Sequence, residues 1–168
     1  SILTGDYGFY DQLRDSAFVT GRALAMEYSS GDTLYLHGDT IRAFKVFLDE
    51  IQINDSTFVV ADTTNHIVAY PRVRFYRTDM QGLCDSMTFV SLDSTLYLNH
   101  HPIVWSENRQ IVGNEIYVHF NDSTVDSATL PNQALVAEEI EEGFYNQLKG
   151  REMIAYFDNG VMRHLDVI

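Results

Sequence analysis

Three prolines, one cysteine and one tryptophan are all that these 168 residues hold of those types. The lone thiol, Cys84, excludes an internal disulfide and a cysteine-based zinc site, and a small buried hydrophobe is the expected role. No apolar run approaches the roughly 18 residues of a helical membrane span. Basic residues are scarce, 11 against 24 acidic, for a net charge of −13. A polyanion would be repelled, and no Lys/Arg cluster is present, so nucleic acid is not an expected partner. The Gly-x-Ser-x-Gly elbow and the glycine-rich phosphate loop are both missing, which argues against an enzyme of those classes.

What is plentiful is strand chemistry. Ten Tyr and ten Phe accompany many Val, Ile and Thr, the residues that suit a pleated, half-buried surface. The length fits one domain over 1–168. The opening Ser1-Ile2-Leu3-Thr4 has no initiator Met and no basic or apolar leader. It is expected of a segment of a longer protein from which any targeting signal has been removed.

The chain repeats itself. Gly113-Asn114-Glu115-Ile116-Tyr117-Val118-His119-Phe120 has a near copy in Gly150-Arg151-Glu152-Met153-Ile154-Ala155-Tyr156-Phe157, and weaker versions begin at Gly31 and Gly82. In each unit the apolar residues fall at every second position: Leu34 and Leu36; Met87 and Phe89; Ile116, Val118 and Phe120; Met153, Ala155 and Phe157. A period of two is the strand signature. Asp85 interrupts the pattern. A second kind of strand precedes two of the glycines, Ile67–Phe75 and Leu96–Val104, with Pro71 and Pro102, like Gly82 and Gly113, 31 positions apart. In the first of these Val73 and Phe75 alternate with Arg72, Arg74 and Tyr76, one dry face and one wet.

Asp-Ser-Thr recurs at 55–57, 93–95 and 122–124, side chains that bond their own backbone in tight turns, and Asp158-Asn159-Gly160 is a hairpin signal. About twelve strands are expected, with a divergent unit around 45–60. Residues 132–142 hold good helix formers but fit a strand with an acidic loop equally well. Such strands can form two facing sheets; closed, their apolar faces make a core, and splayed, a groove for acyl chains. Edge strands at either end would remain free to pair.

His100-His101, His66 and His119 are expected in turns or at the surface, because neighbouring strand residues face opposite ways and do not jointly hold a metal. The run Glu138-Glu139-Ile140-Glu141-Glu142 lacks the spaced loop that wraps calcium and reads as a solvated face. Trp105 and the Tyr/Arg face of 70–77 could stack sugars, which supports the alternative of a structural or glycan-binding β-repeat module with a closed core and no lipid ligand.

Three stretches resemble a known family. Ala69-Tyr70-Pro71-Arg72-Val73-Arg74-Phe75-Tyr76-Arg77 with Gln81–Ser86, Tyr145-Asn146-Gln147-Leu148-Lys149-Gly150 with Ala155-Tyr156-Phe157, and Asp15–Gly21 look like the OstA-like proteins of Bacteroidetes-type bacteria. These belong to the periplasmic lipopolysaccharide-transport superfamily of LptA, LptC and the amino-terminal domain of LptD. The resemblance implies an all-β jellyroll or "β-taco" of stacked, antiparallel, V-shaped strands forming two facing sheets. It implies periplasmic location, no catalytic residue, no metal and no cofactor, and lipopolysaccharide as ligand, its lipid A acyl chains in an apolar groove. The lining it implies is Leu34, Leu36, Val73, Phe75, Met87, Phe89, Leu96, Leu98, Ile116, Val118, Phe120, Met153 and Phe157. Anionic head groups would stay in solvent or near Arg72, Arg74 and Arg77. Other transport proteins of this system, or further copies, would join through edge strands.

Overall fold

The computed structural model describes residues 2–29, 32–47, 50–54, 57–60, 63–122, 124–159 and 161–168, and every regular element among them is a strand. β1 (Ile2–Thr4) and β2 (Tyr7–Asp11) lead into two long antiparallel partners, β3 (Ser16–Ser29) and β4 (Asp32–Phe47). β5 (Glu50–Asn54) and β6 (Thr57–Val60) form a separate two-stranded sheet, which accounts for the irregular spacing there. Then come β7 (Thr63–Tyr70), β8 (Val73–Arg77), β9 (Met80–Cys84), β10 (Ser86–Val90), β11 (Thr95–Asn99) and β12 (Ile103–Ser106). The rest are β13 (Arg109–Val112), β14 (Glu115–Asn121), β15 (Thr124–Leu130), β16 (Ala134–Glu141), β17 (Phe144–Gly150), β18 (Met153–Asp158) and β19 (Val161–Val167).

Seventeen of these strands are hydrogen-bonded into one sheet, but the sheet is bent into a V. β3 bends at Gly21-Arg22, whose φ angles of 71° and 52° are left-handed, and its register against β4 shifts there. β4 bends at Gly38: residues 35–37 pair with β8 and residues 40–47 with β7. One wall of the V therefore runs β2, early β3, late β4, β7, β10, β11, β14, β15, β18, β19. The other runs β1, late β3, early β4, β8, β9, β12, β13, β16, β17. This is an all-β, jellyroll-like taco whose chain passes from wall to wall at each bend.

The bends line up as a spine held by backbone hydrogen bonds between successive corners. The Asp6 N–H donates to the Gly21 carbonyl (2.8 Å), Asp39 to Pro71 (3.2 Å), His101 to Asn114 (3.1 Å), Asn114 to Asn132 (3.3 Å) and Arg151 to Ile168 (2.8 Å). Two corners are also bridged by ion pairs, Arg22 with Asp6 and Arg72 with Asp39. The three prolines, Pro71, Pro102 and Pro131, all stand at corners where the chain crosses from the first wall to the second. A proline is tolerated there because no ladder hydrogen bond needs its missing N–H.

Two expectations from the sequence are overturned by this architecture, and one left open is decided. Nineteen strands occur among the described residues rather than about twelve, because runs such as Ile67–Phe75 and Leu96–Val104 are each bent at a corner into two strands. Gly82 does not head a unit; it sits inside β9. Of the two readings open for residues 132–142, the strand is the one observed, over 134–141: β16 is paired on both sides, to β13 and β17, and that ladder outweighs its helix-forming composition. The turn chemistry is visible at Leu92–Thr95, where Asp93 accepts the Thr95 N–H (3.2 Å) and Ser94 takes a left-handed φ. Asn159 does likewise, with φ 51°. Gly31, Asp55, Ser56, Ser123 and Gly160 lie outside the described residues.

Candidate functional site

Burial between the walls is graded from spine to mouth. Next to the corners lie Ile41, Ala69, Leu98, Ile116, Leu130 and Met153 on the first wall, facing Ala23, Val73 and Ala134 on the second, all at most 2% exposed. One step outward, Leu36, Phe75, Leu96, Val104, Val118 and Val136 reach 4–8%. Leu34, Met80 and Phe120 stand a further step out and are only partly buried against the cluster, as are Phe89, Ile111 and Leu165, which lie level with Leu96, Val104 and Ala155. Phe89, near the outer end of β10, meets Phe120 edge to face, ring centroids 6.4 Å apart.

Of the residues expected to line an interior, nine therefore belong to the packed core: Leu36, Val73, Phe75, Met87, Leu96, Leu98, Ile116, Val118 and Met153. Leu34, Phe89 and Phe120 stand at the mouth, and Phe157 is half-buried opposite Met162. Near the spine the walls are in contact and the apolar faces form a core. Towards the β17–β19 end they part around a cleft of about 200 Å³, between Val136 and Leu148 on one wall and Met162 and Leu165 on the other, with Arg109 and Glu138 at its lip. A larger, shallow hollow of about 590 Å³ lies at the corners, lined by Asn114, Asn132, Gln133, Lys149, Gly150 and Arg151.

The arginines expected near head groups separate in space. Arg72 is at the spine, engaged by Asp39 (2.7 Å), and Arg74 lies exposed on the outer face of the second wall. Only Arg77 reaches the mouth, where Asp79 holds its guanidinium at 2.6 and 2.7 Å. Arg109, missed in the sequence, stands at the same level and bonds Glu138 (2.7 Å) and Glu107 (3.2 Å). Its signal was available in principle: Arg109 lies two residues before Ile111 on a strand of period two. Asp32, beside this rim, accepts the Thr33 N–H (2.7 Å) and the Thr78 hydroxyl (2.9 Å), and these bonds lower its pKa.

The remaining polar groups do not converge. His66 packs on Phe44, His119 is bonded to Thr95 (2.8 Å), and His100 and His101 form a corner, both with left-handed φ. No group of three or more potential metal ligands occurs among the described residues. The Cys84 thiol points into the core, and burial pushes its pKa up to about 12. Glu138 is tied to Arg109 rather than solvated, and Glu139 accepts the Gly143 N–H.

Among known proteins, no family model and no curated sequence matches this chain. Among solved structures, it is similar to LptH of Pseudomonas aeruginosa, described as the LptA-homologous periplasmic component of the lipopolysaccharide transport device. The two share 12% identity over 88% of this chain and 92% of the other, with a TM-score of 0.46.

Proposed function

We propose that this chain is a periplasmic, non-enzymatic lipopolysaccharide-transport module that takes lipid A acyl chains between its walls. The observation that carries the proposal is the spine-to-mouth gradient. The spine is dry and packed, while the mouth presents half-buried Leu34, Met80, Phe89 and Phe120 along an apolar seam. Each acyl methylene buried there contributes about 0.8 kcal/mol, enough for affinity without help from a surface whose net charge is −13. Arg77 and Arg109 are the basic groups placed to meet a head group at the lip. Module-to-module pairing would use the outermost strands, β1 and β2 at one end and β17 and β19 at the other, which carry many of the exposed apolar side chains: Ile2, Tyr7, Phe9, Phe144, Tyr145, Val161 and Val167.

Photocrosslinking to lipopolysaccharide tests the groove. Phe89→Arg and Phe120→Arg should reduce crosslinking severely while Arg74→Ala leaves it intact. Both phenylalanines are at the mouth, so the variants keep the packed spine. Small, equal effects at all three positions would overturn the groove and leave the closed-core structural module.

A further inference from the structure

The outer face of the second wall carries a row of side chains that the interior does not use. Across consecutive strands the register aligns Tyr35, Tyr76, Gln81, Trp105 and Gln110. Each projects away from the core, since the alternating neighbours Leu36, Phe75, Gly82 and Val104 are the buried ones. Tyr35 and Tyr76 are 41% and 53% exposed with ring centroids 6.5 Å apart, and Trp105 is half-buried two strands further on. No hydrogen bond within the described protein engages the Trp105 indole N–H or the Gln81 and Gln110 carboxamides. The matching aromatic pair on the first wall is different: Tyr97 and Tyr117 spend their hydroxyls on Asp93 (2.7 Å) and Glu115 (2.6 Å).

We infer that this row is a carbohydrate-stacking surface for an extended, uncharged β-linked glycan lying across the strands. Aromatic rings with a polar edge present a flat apolar face to the C–H face of a pyranose, and free carboxamides donate to and accept from its hydroxyls. Spacing supports the glycan direction. Tyr76 and Trp105 are two strands apart, about 10 Å in the hydrogen-bonding direction, which is the length of two sugars in an extended β-linked chain, with Gln81 midway. Charge points to the class: the row itself, Tyr35, Tyr76, Gln81, Trp105 and Gln110, carries no charged side chain, which fits a neutral glycan rather than an ionic one. The surface is independent of the groove and of what the groove carries.

Trp105 is the only tryptophan among ten tyrosines, so fluorescence excited at the red edge, where only indole absorbs, reports on this face. Titration with chitohexaose and with cellohexaose should give a saturable change in Trp105 emission for at least one of them. Tyr76→Ala should weaken that binding about tenfold, and Gln81→Ala severalfold, while Tyr97→Ala on the opposite wall leaves it unchanged. Tyr76 is exposed and its loss should not disturb the fold; Tyr76→Gln, checked by circular dichroism, serves as the second variant. Absence of a saturable change with both oligosaccharides would overturn the proposal, as would an equal loss in Tyr97→Ala.

Discussion

The ring of Phe75 lies over the Cα of Gly82, its directly opposed partner across β8 and β9. A Cβ built at residue 82 would stand 2.7 Å from the Phe75 Cε1 and 2.8 Å from the Ile103 carbonyl oxygen, so the ring fills the space that a side chain would need. Gly82→Ala should destabilise the fold by about 1–3 kcal/mol, the scale of an overpacked core, because the carbonyl is backbone and cannot swing aside. Denaturant titration measures this, and an unchanged midpoint would show that Phe75 can be displaced freely.

Cys84 offers a second test. With its pKa pushed up to about 12, first by burial and then by neighbouring Asp85, almost no thiolate exists at pH 8. The native protein should react with Ellman's reagent orders of magnitude more slowly than the denatured chain. Fast native labelling would mean that the walls open widely near the spine.

Acid should loosen the β1–β4 end first. Asp6 is held below the usual carboxylate range by Arg22, and Asp15 by Lys45. Asp32 is lowered by the N–H of Thr33. Carboxylates with a lowered folded-state pKa contribute stability that is complete above the unfolded value, near pH 4, and is lost as pH falls through the lowered one. Amide exchange in β1–β4 should therefore accelerate below about pH 4, and Arg22→Ala should flatten that dependence. The Asp6–Arg22 and Asp15–Lys45 pairs are exposed, so added salt should shrink their share of the effect.

Self-association through the outermost strands should depend on their apolar residues. Val161→Lys with Val167→Lys, on β19, should lower any concentration-dependent oligomer seen by sedimentation, since an edge lysine opposes strand addition. An oligomer that persists unchanged would place the contact elsewhere.

The faces of the strands were legible in the sequence and the corners were not. Alternation names the inward residues Ile116, Val118 and Phe120 because nothing but a pleat gives that period. It also runs unbroken through the bends at Pro71, Pro102 and Pro131: Ala69 and Val73, Leu98 and Val104, Leu130 and Ala134 are an even number of residues apart. A bent strand then reads as a straight one. Returning bends carry an odd offset, as between Cys84 and Met87 or Ile111 and Ile116. Asp85, which interrupts the repeat, is such a corner. The location of Arg109 and the separation of Arg72, Arg74 and Arg77 depend on these bends, so a linear reading groups residues that the fold sends to three different places.

A sheet creased along one line, with its successive corners tied by Asp6–Gly21, Asp39–Pro71, His101–Asn114 and Arg151–Ile168 hydrogen bonds, has one soft coordinate. The walls cannot slide past each other without breaking every tie, but they can swing apart like a book. Opening would wet the outer leaf of Phe89 and Phe120 long before it reached Leu98 or Met153. How far a guest could enter is thus limited mechanically: depth is set by how wide the hinge swings, and the spine is the stop.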